Sequence, residues 1–318
     1  MSARSDTTFA FVLGTGRCGS SLLHELLARH GDVGFVSNVD DRLAALDLAG
    51  RANAAIYRFV PPSLTRKGRP RFAPSEGYRI LGHRVSPAIV DPVRDLVAED
   101  ATPWLAGRFR TFFRDRAEAQ RRQVFLHKFT GWPRAGFVDA VLPGSRFVNV
   151  VRDGRAVASS LLQMPWWRGY RGPDAWGWGP LPHPYALEWD SSGRSFAVLA
   201  GLEWKLLMDA FDAARSRIGL DRWLDVRYED LVASPRDVMT EVLAFLALAR
   251  TPAFERAVGR QPFESSRTDA YRRDLRPRDV EALESSLADH LRRYGYVVDA
   301  EARRVERGVV ETSEAARA

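Results

Sequence analysis

Apolar residues fall along this chain in two rhythms, unbroken short runs and runs spaced at helical period. Thr8 to Leu13, TFAFVL, is an aromatic and β-branched run ended by Gly14, which predicts a buried strand. Leu22 to His30, LLHELLARH, is amphipathic and predicts a helix, and Val33 to Val36 predicts the next strand. Two helical patterns flank Pro103 between Pro87 and Gln120. QVFLHKF (Gln123 to Phe129) and RFVNVV (Arg146 to Val151) read as further strands, the second running into the helical RAVASSLL. A long helix from about Arg194 to Arg217, a strand near Trp223 to Arg227, a helix after Pro235 and a last helix over 277–293 complete the pattern. Strands alternating with helices predict an α/β fold, a parallel β-sheet flanked by helices.

Three stretches break the rhythm. Residues 61–76, with four prolines and four Arg or Lys, predict a polar linker or exposed loop. The stretch 165–193 gathers Trp166, Trp167, Trp176, Trp178 and Trp189 among prolines and glycines, which predicts an insertion or lid. The tail 301–318 is polar and predicts a flexible end, leaving residues 1–300 as a single domain. No internal repeat is visible.

Composition narrows the class. With 318 residues, 45% hydrophobic, and a mean hydropathy of -0.27, the chain can bury a sizeable core and is not disordered. No apolar run approaches the ~18 residues of a membrane span, and Met1 to Thr8 lacks the apolar core of a signal peptide. The lone Cys18 excludes an intramolecular disulfide and a cysteine-rich zinc site, so the expectation is a cytoplasmic protein. The net charge of +7 rests on 47 cationic residues of which Lys67, Lys128 and Lys205 are the lysines. The arginines are scattered along the chain rather than clustered on one arm, which argues against a nucleic-acid partner. A solvated surface or a site for a small, highly anionic ligand both fit that charge.

The candidate chemistry lies where strand meets helix. Gly14-Thr15-Gly16-Arg17-Cys18-Gly19 satisfies G-x-G-x-x-G after a strand, the dinucleotide fingerprint. It also fits a purely structural glycine turn. It is not a Walker A loop, because no G-K-[ST] follows. Arg17 inside the loop, with Ser20 and Ser21 at the helix start, supplies a cation and two hydroxyls for a tetrahedral anion. His24-Glu25-Leu26-Leu27-Ala28 lacks the second histidine of a zinc protease motif, so no metal is expected. After the strand RFVNVV comes Arg152-Asp153-Gly154-Arg155, with Ser160 eight residues beyond Arg152 on the following helix.

These two constellations together resemble the PAPS-dependent sulfotransferases, whose donor is 3′-phosphoadenosine 5′-phosphosulfate. The resemblance rests on Arg17-Cys18-Gly19-Ser20-Ser21-Leu22, on Arg152 with Ser160, and on Tyr228-Glu229-Asp230-Leu231. It runs over roughly residues 9 to 295. Cys18 and Gly154 stand where the family has Ser and Pro. The resemblance implies a P-loop-like fold in which Thr15, Gly16, Arg17, Cys18, Gly19, Ser20 and Ser21 bind the phosphosulfate. Arg152 and Ser160, with Arg272 and Arg273 as further candidates, would take the 3′-phosphate, Tyr228 would lie near the adenine, and Lys128 would assist at the sulfuryl group. The family's base positions fall on Thr130 and Asn38, neither a base at neutral pH. Asp40 or Asp41 is expected to supply the carboxylate, with His83 and His127 as alternatives, although both aspartates could instead cap a helix. A dinucleotide-dependent oxidoreductase and a non-catalytic nucleotide-binding relative remain as rival readings. The acceptor is open among carbohydrate, lipid head group, phenol and peptide, with a lean to sugar or glycolipid from the tryptophans.

Overall fold

The computed structural model describes residues 7–59 and 72–298. They divide into two compact units, the first from 7–151 and 209–265, the second from 152–208 and 266–298.

The first unit is built on five parallel strands in the order β2-β3-β1-β4-β5. They are β1 (Thr8–Leu13), β2 (Val33–Phe35), β3 (Val124–Lys128), β4 (Arg146–Val151) and β5 (Trp223–Arg227). Each is buried on nearly every residue of β1 to β4, as expected where both faces of a parallel sheet are covered. That is why these strands are legible as continuous apolar runs instead of alternating ones. Ala10, Val12, Val124, Leu126, Val148 and Val150 make the centre of one core cluster. On the central strand Phe11 stacks on Phe129 and Phe147 and meets His127 edge-on. The register sets Val12 beside Lys128, so β1 ends in its glycine loop next to the residue that ends β3. In open α/β sheets the crevice beyond such strand ends is where ligands bind.

Part of the predicted linker is built into this unit. Residues 60–71 lie outside the described residues, but 72–76 run along the end of β2. Ser75 N–H donates to Val36 C=O, Asn38 N–H donates to Ala73 C=O, and Ala73 is buried. Its backbone groups find partners beyond the short strand, which holds a proline-containing segment that composition reads as exposed.

The second unit is helical. Its longest elements are the helix Gly154–Leu162, the first part of the helix Phe196–Ile218 and the helix Pro277–Arg293. The tryptophan-rich stretch belongs here and contains a helix of its own, His183–Ser191. Trp167 and Trp176 are buried, whereas Trp166 is exposed. No helix among the described residues is long and apolar enough to cross a membrane.

Candidate active site

The β1 loop adopts the backbone that its glycines permit. Gly16 (φ +87°), Arg17 (φ +54°) and Gly19 (φ +95°) are all left-handed, an arrangement that curls successive peptide groups around a small concavity. Only glycine fits two of its positions. A Cβ on Gly14 would collide with Cys18 Sγ, and one on Gly19 would collide with the Tyr228 ring. Cys18 is fully buried and faces inward, so its place in the loop is to pack it shut. Thr15 is also buried, its hydroxyl donating to the Gly16 carbonyl. Arg17 is half-buried in a conformation that costs a non-glycine residue energy, a sign that the loop is shaped for something other than stability. The loop delivers the chain to α1 (Ser20–Leu27), which begins on the glycine N-cap with Ser20 and Ser21 in its first turn.

Lys128 joins this loop to a partner absent from the sequence reading. Its Nζ donates to Ser21 Oγ at 2.7 Å and pairs with Glu76 Oε1 at 2.6 Å. The hydroxyl of Tyr78 donates to the other Glu76 oxygen. Burial pushes the Glu76 carboxyl upward, but the Lys128 charge and the hydrogen bonds hold it below the usual carboxylate range. Ser21, His24, Asn38, Glu76, Tyr78 and Lys128 line a cleft of about 210 Å³. His24 is buried and its Nε2 has no hydrogen-bond partner; burial, then Lys128, then His127 push it well below the usual histidine range, so it is neutral.

The acidic candidates behave differently from Glu76. Asp40 is buried in a capping box: its Oδ2 accepts from Ser37 N–H at 2.8 Å, Ser37 Oγ at 2.9 Å and Asn53 Nδ2 at 2.5 Å. Asp41 Oδ1 accepts from Arg79 N–H and Ile80 N–H, closing the first turn of the helix Tyr78–Arg84. Both carboxylates are spent on helix ends. His127 is sealed between aromatic rings and pushed down to about 3, chiefly by burial, and His83 is exposed at the end of its helix. Tyr228 opens the helix after β5 and lies against the loop at Gly19.

The second unit holds the other candidates. Arg152 is buried and donates through Nη2 to the Arg267 carbonyl at 2.7 Å. Asp153 caps the helix Gly154–Leu162, and the Trp204 ring fills the space a side chain on Gly154 would need. Ser160 is half-buried in the last turn of that helix. Arg272 and Arg273 are exposed on the short helix Tyr271–Asp274. Arg155 serves the interior, held by Asp153 and by Glu284 at 2.7 Å.

A parallel sheet whose central strand ends in a left-handed glycine loop, with a lysine of the neighbouring strand bonded to that loop's helix, is an α/β architecture of the kind that builds ligand sites at its strand ends. The model of the Sulfotransferase family matches residues 10–252, and the chain belongs to that family. Sulfuryl transfer is therefore the general chemistry of its class. The fold is similar to that of the sulfotransferase STF9 from Mycobacterium avium, at 16% identity and a TM-score of 0.53 over 92% of this chain and 78% of that one. It is also similar to the sulfotransferase domain from the curacin biosynthetic pathway, at 15% identity and a TM-score of 0.50 over 89% of this chain and 98% of that one. No curated protein matches the sequence.

Proposed function

We propose that the protein transfers a sulfuryl group from 3′-phosphoadenosine 5′-phosphosulfate to an acceptor hydroxyl or amine, without a metal. The observation that carries this reading is Lys128, bonded at once to the first turn behind the glycine loop and to Glu76 on the wall of a cleft. The left-handed loop from Thr15 to Gly19, with Arg17 and the hydroxyls of Ser20 and Ser21, fits a phosphosulfate, since it offers a concavity, a cation and two donors. Arg152 and Ser160 take the 3′-phosphate, with Arg272 and Arg273 at hand, and Tyr228, packed on the loop, serves the adenine.

The donor supplies a sulfuryl group already activated as an anhydride, so the residues need only position and stabilise charge. Arg17 and Lys128 face the charge that grows on the leaving nucleotide and on the sulfuryl oxygens. Glu76 takes the role first expected of Asp40 or Asp41, because its carboxylate lies on the cleft and theirs do not. It receives the proton of the acceptor as the new bond to sulfur forms. The acceptor reading leans to a carbohydrate or glycolipid, for which exposed Trp166 offers an aromatic face, and the reaction belongs in the cytoplasm.

Incubation with donor carrying labelled sulfur and a panel of sugars, glycolipids, phenols and amines tests this. Label on one acceptor class, with stoichiometric release of adenosine 3′,5′-bisphosphate, is the expected result. Intact donor with every acceptor, and no binding of the bisphosphate, would overturn it.

A further inference from the structure

Tyr78 touches the reacting machinery without a role in the scheme above. It opens the helix Tyr78–Arg84 behind Gly77, whose φ of +64° turns the chain so that the phenol comes back onto Glu76 two residues earlier. The two oxygens of Glu76 are thereby held from opposite partners, Oε1 by the ammonium of Lys128 and Oε2 by the hydroxyl of Tyr78. The Tyr78 ring also lines the cleft. A carboxylate with one fixed donor on each oxygen cannot rotate, and its remaining lone pairs keep a set direction.

We propose that Tyr78 is a positioning residue for sulfuryl transfer, its phenol fixing the plane of the Glu76 carboxylate so that the acceptor's proton has one place to go. This rests on the sulfotransfer reading given above. In the step it serves, the acceptor oxygen bonds to sulfur while the bond from sulfur to the 5′-phosphate oxygen breaks, and the electron pair stays on the phosphate. The acceptor's proton moves to Glu76 and leaves from there to water. Tyr78 keeps its own proton throughout, because desolvation of its hydroxyl against Glu76, and then the Glu76 charge, push the phenol well above its ordinary range although the ring is partly exposed. The charged and titratable groups that bear on Glu76 are Lys128 and His127 from β3, Tyr78 itself, and Arg134. Of these, Tyr78 can lose its hydroxyl while its ring stays in place.

The experiment compares wild type with Tyr78→Phe by two measurements. One is a carbon-13 NMR titration of the Glu76 carboxyl, assigned with Glu76→Gln. The other is the pH profile of adenosine 3′,5′-bisphosphate release from the donor, with water as the sulfuryl acceptor. Loss of the phenol should move the Glu76 titration to higher pH and move the acid limb of the rate profile with it. Turnover should fall roughly tenfold while bisphosphate affinity stays unchanged. A titration that does not move, or a lower rate with an unmoved acid limb, would overturn the proposal. A wild type that fails to bind the bisphosphate would sink the sulfotransfer reading instead, and the titration would still decide whether Tyr78 governs Glu76.

Discussion

Two buried ion clusters in this molecule have the same chemistry in different surroundings. In the second unit Arg155 is enclosed by Asp153 and Glu284, with side chains 4%, 10% and 1% exposed. Asp153 also caps the helix that carries Arg155, which ties the cluster to the fold. In the first unit Lys128 and Glu76 are nearly as buried on the lysine side, yet the pair forms the wall of a cleft. Around it are a loop of left-handed residues, a serine hydroxyl and a neutral histidine with an unused Nε2. Burial and pairing do not tell a working pair from a structural one. The cleft beside Lys128 and Glu76 is what sets that pair apart.

That contrast can be broken by exchanging the roles. Arg155→Met leaves two buried carboxylates without their cation and should lower stability by about 3–5 kcal/mol, read by urea unfolding. Lys128→Met should instead leave the midpoint near wild type, since Glu76 can protonate and keep Tyr78, while sulfuryl transfer falls about 10²–10³-fold. Equal loss of stability in both variants would erase the distinction.

A third buried acid sharpens the comparison. Glu203 has no cation beside it; it accepts from Trp167 Nε1 at 2.9 Å and from Trp178, and burial raises it from 4.5 to about 7 despite those bonds. An acid raised on folding makes the protein most stable below its unfolded value. Stability should therefore decline as pH rises from about 4.5 to about 7, by up to roughly 3 kcal/mol from this group. Glu203→Gln should flatten that part of the stability curve measured by thermal unfolding. The smallest effect concerns the aspartates. The Asp40→Asn, Asp41→Asn double variant should lose about 1–2 kcal/mol of stability through its helix ends and keep turnover within about twofold. A loss of turnover larger than that would return the base to one of them.

How much of this was legible in the sequence follows from where the signals are local. The strands read clearly because burial on both faces makes TFAFVL and RFVNVV continuously apolar. The loop read clearly because its glycines and Arg17 stand together. Asp40 carried its own structural signal, Ser37-x-x-Asp40, the spacing of a capping box. Glu76 carried almost none. It meets Lys128 through the tertiary fold, and it lies at the end of a proline-rich, basic stretch whose composition reads as solvent-exposed. What could have pointed to it is local: Gly77 directly after it marks a turn, and Ala73-Pro74 before it is too apolar for a free linker. The helix His183–Ser191 was hidden similarly, its weak amphipathicity masked by the surrounding tryptophans, prolines and glycines.

In this reading the glycine loop holds a phosphosulfate nucleotide. Thermal unfolding with adenosine 3′,5′-bisphosphate, ADP, NAD and NADP tests it most directly. At ~100 times its dissociation constant a ligand adds about 2.7 kcal/mol, enough to raise the midpoint by a few degrees. That rise is expected with the bisphosphate, and a smaller one or none with the others. Stabilisation by NAD or NADP alone would contradict it and make the loop a dinucleotide turn.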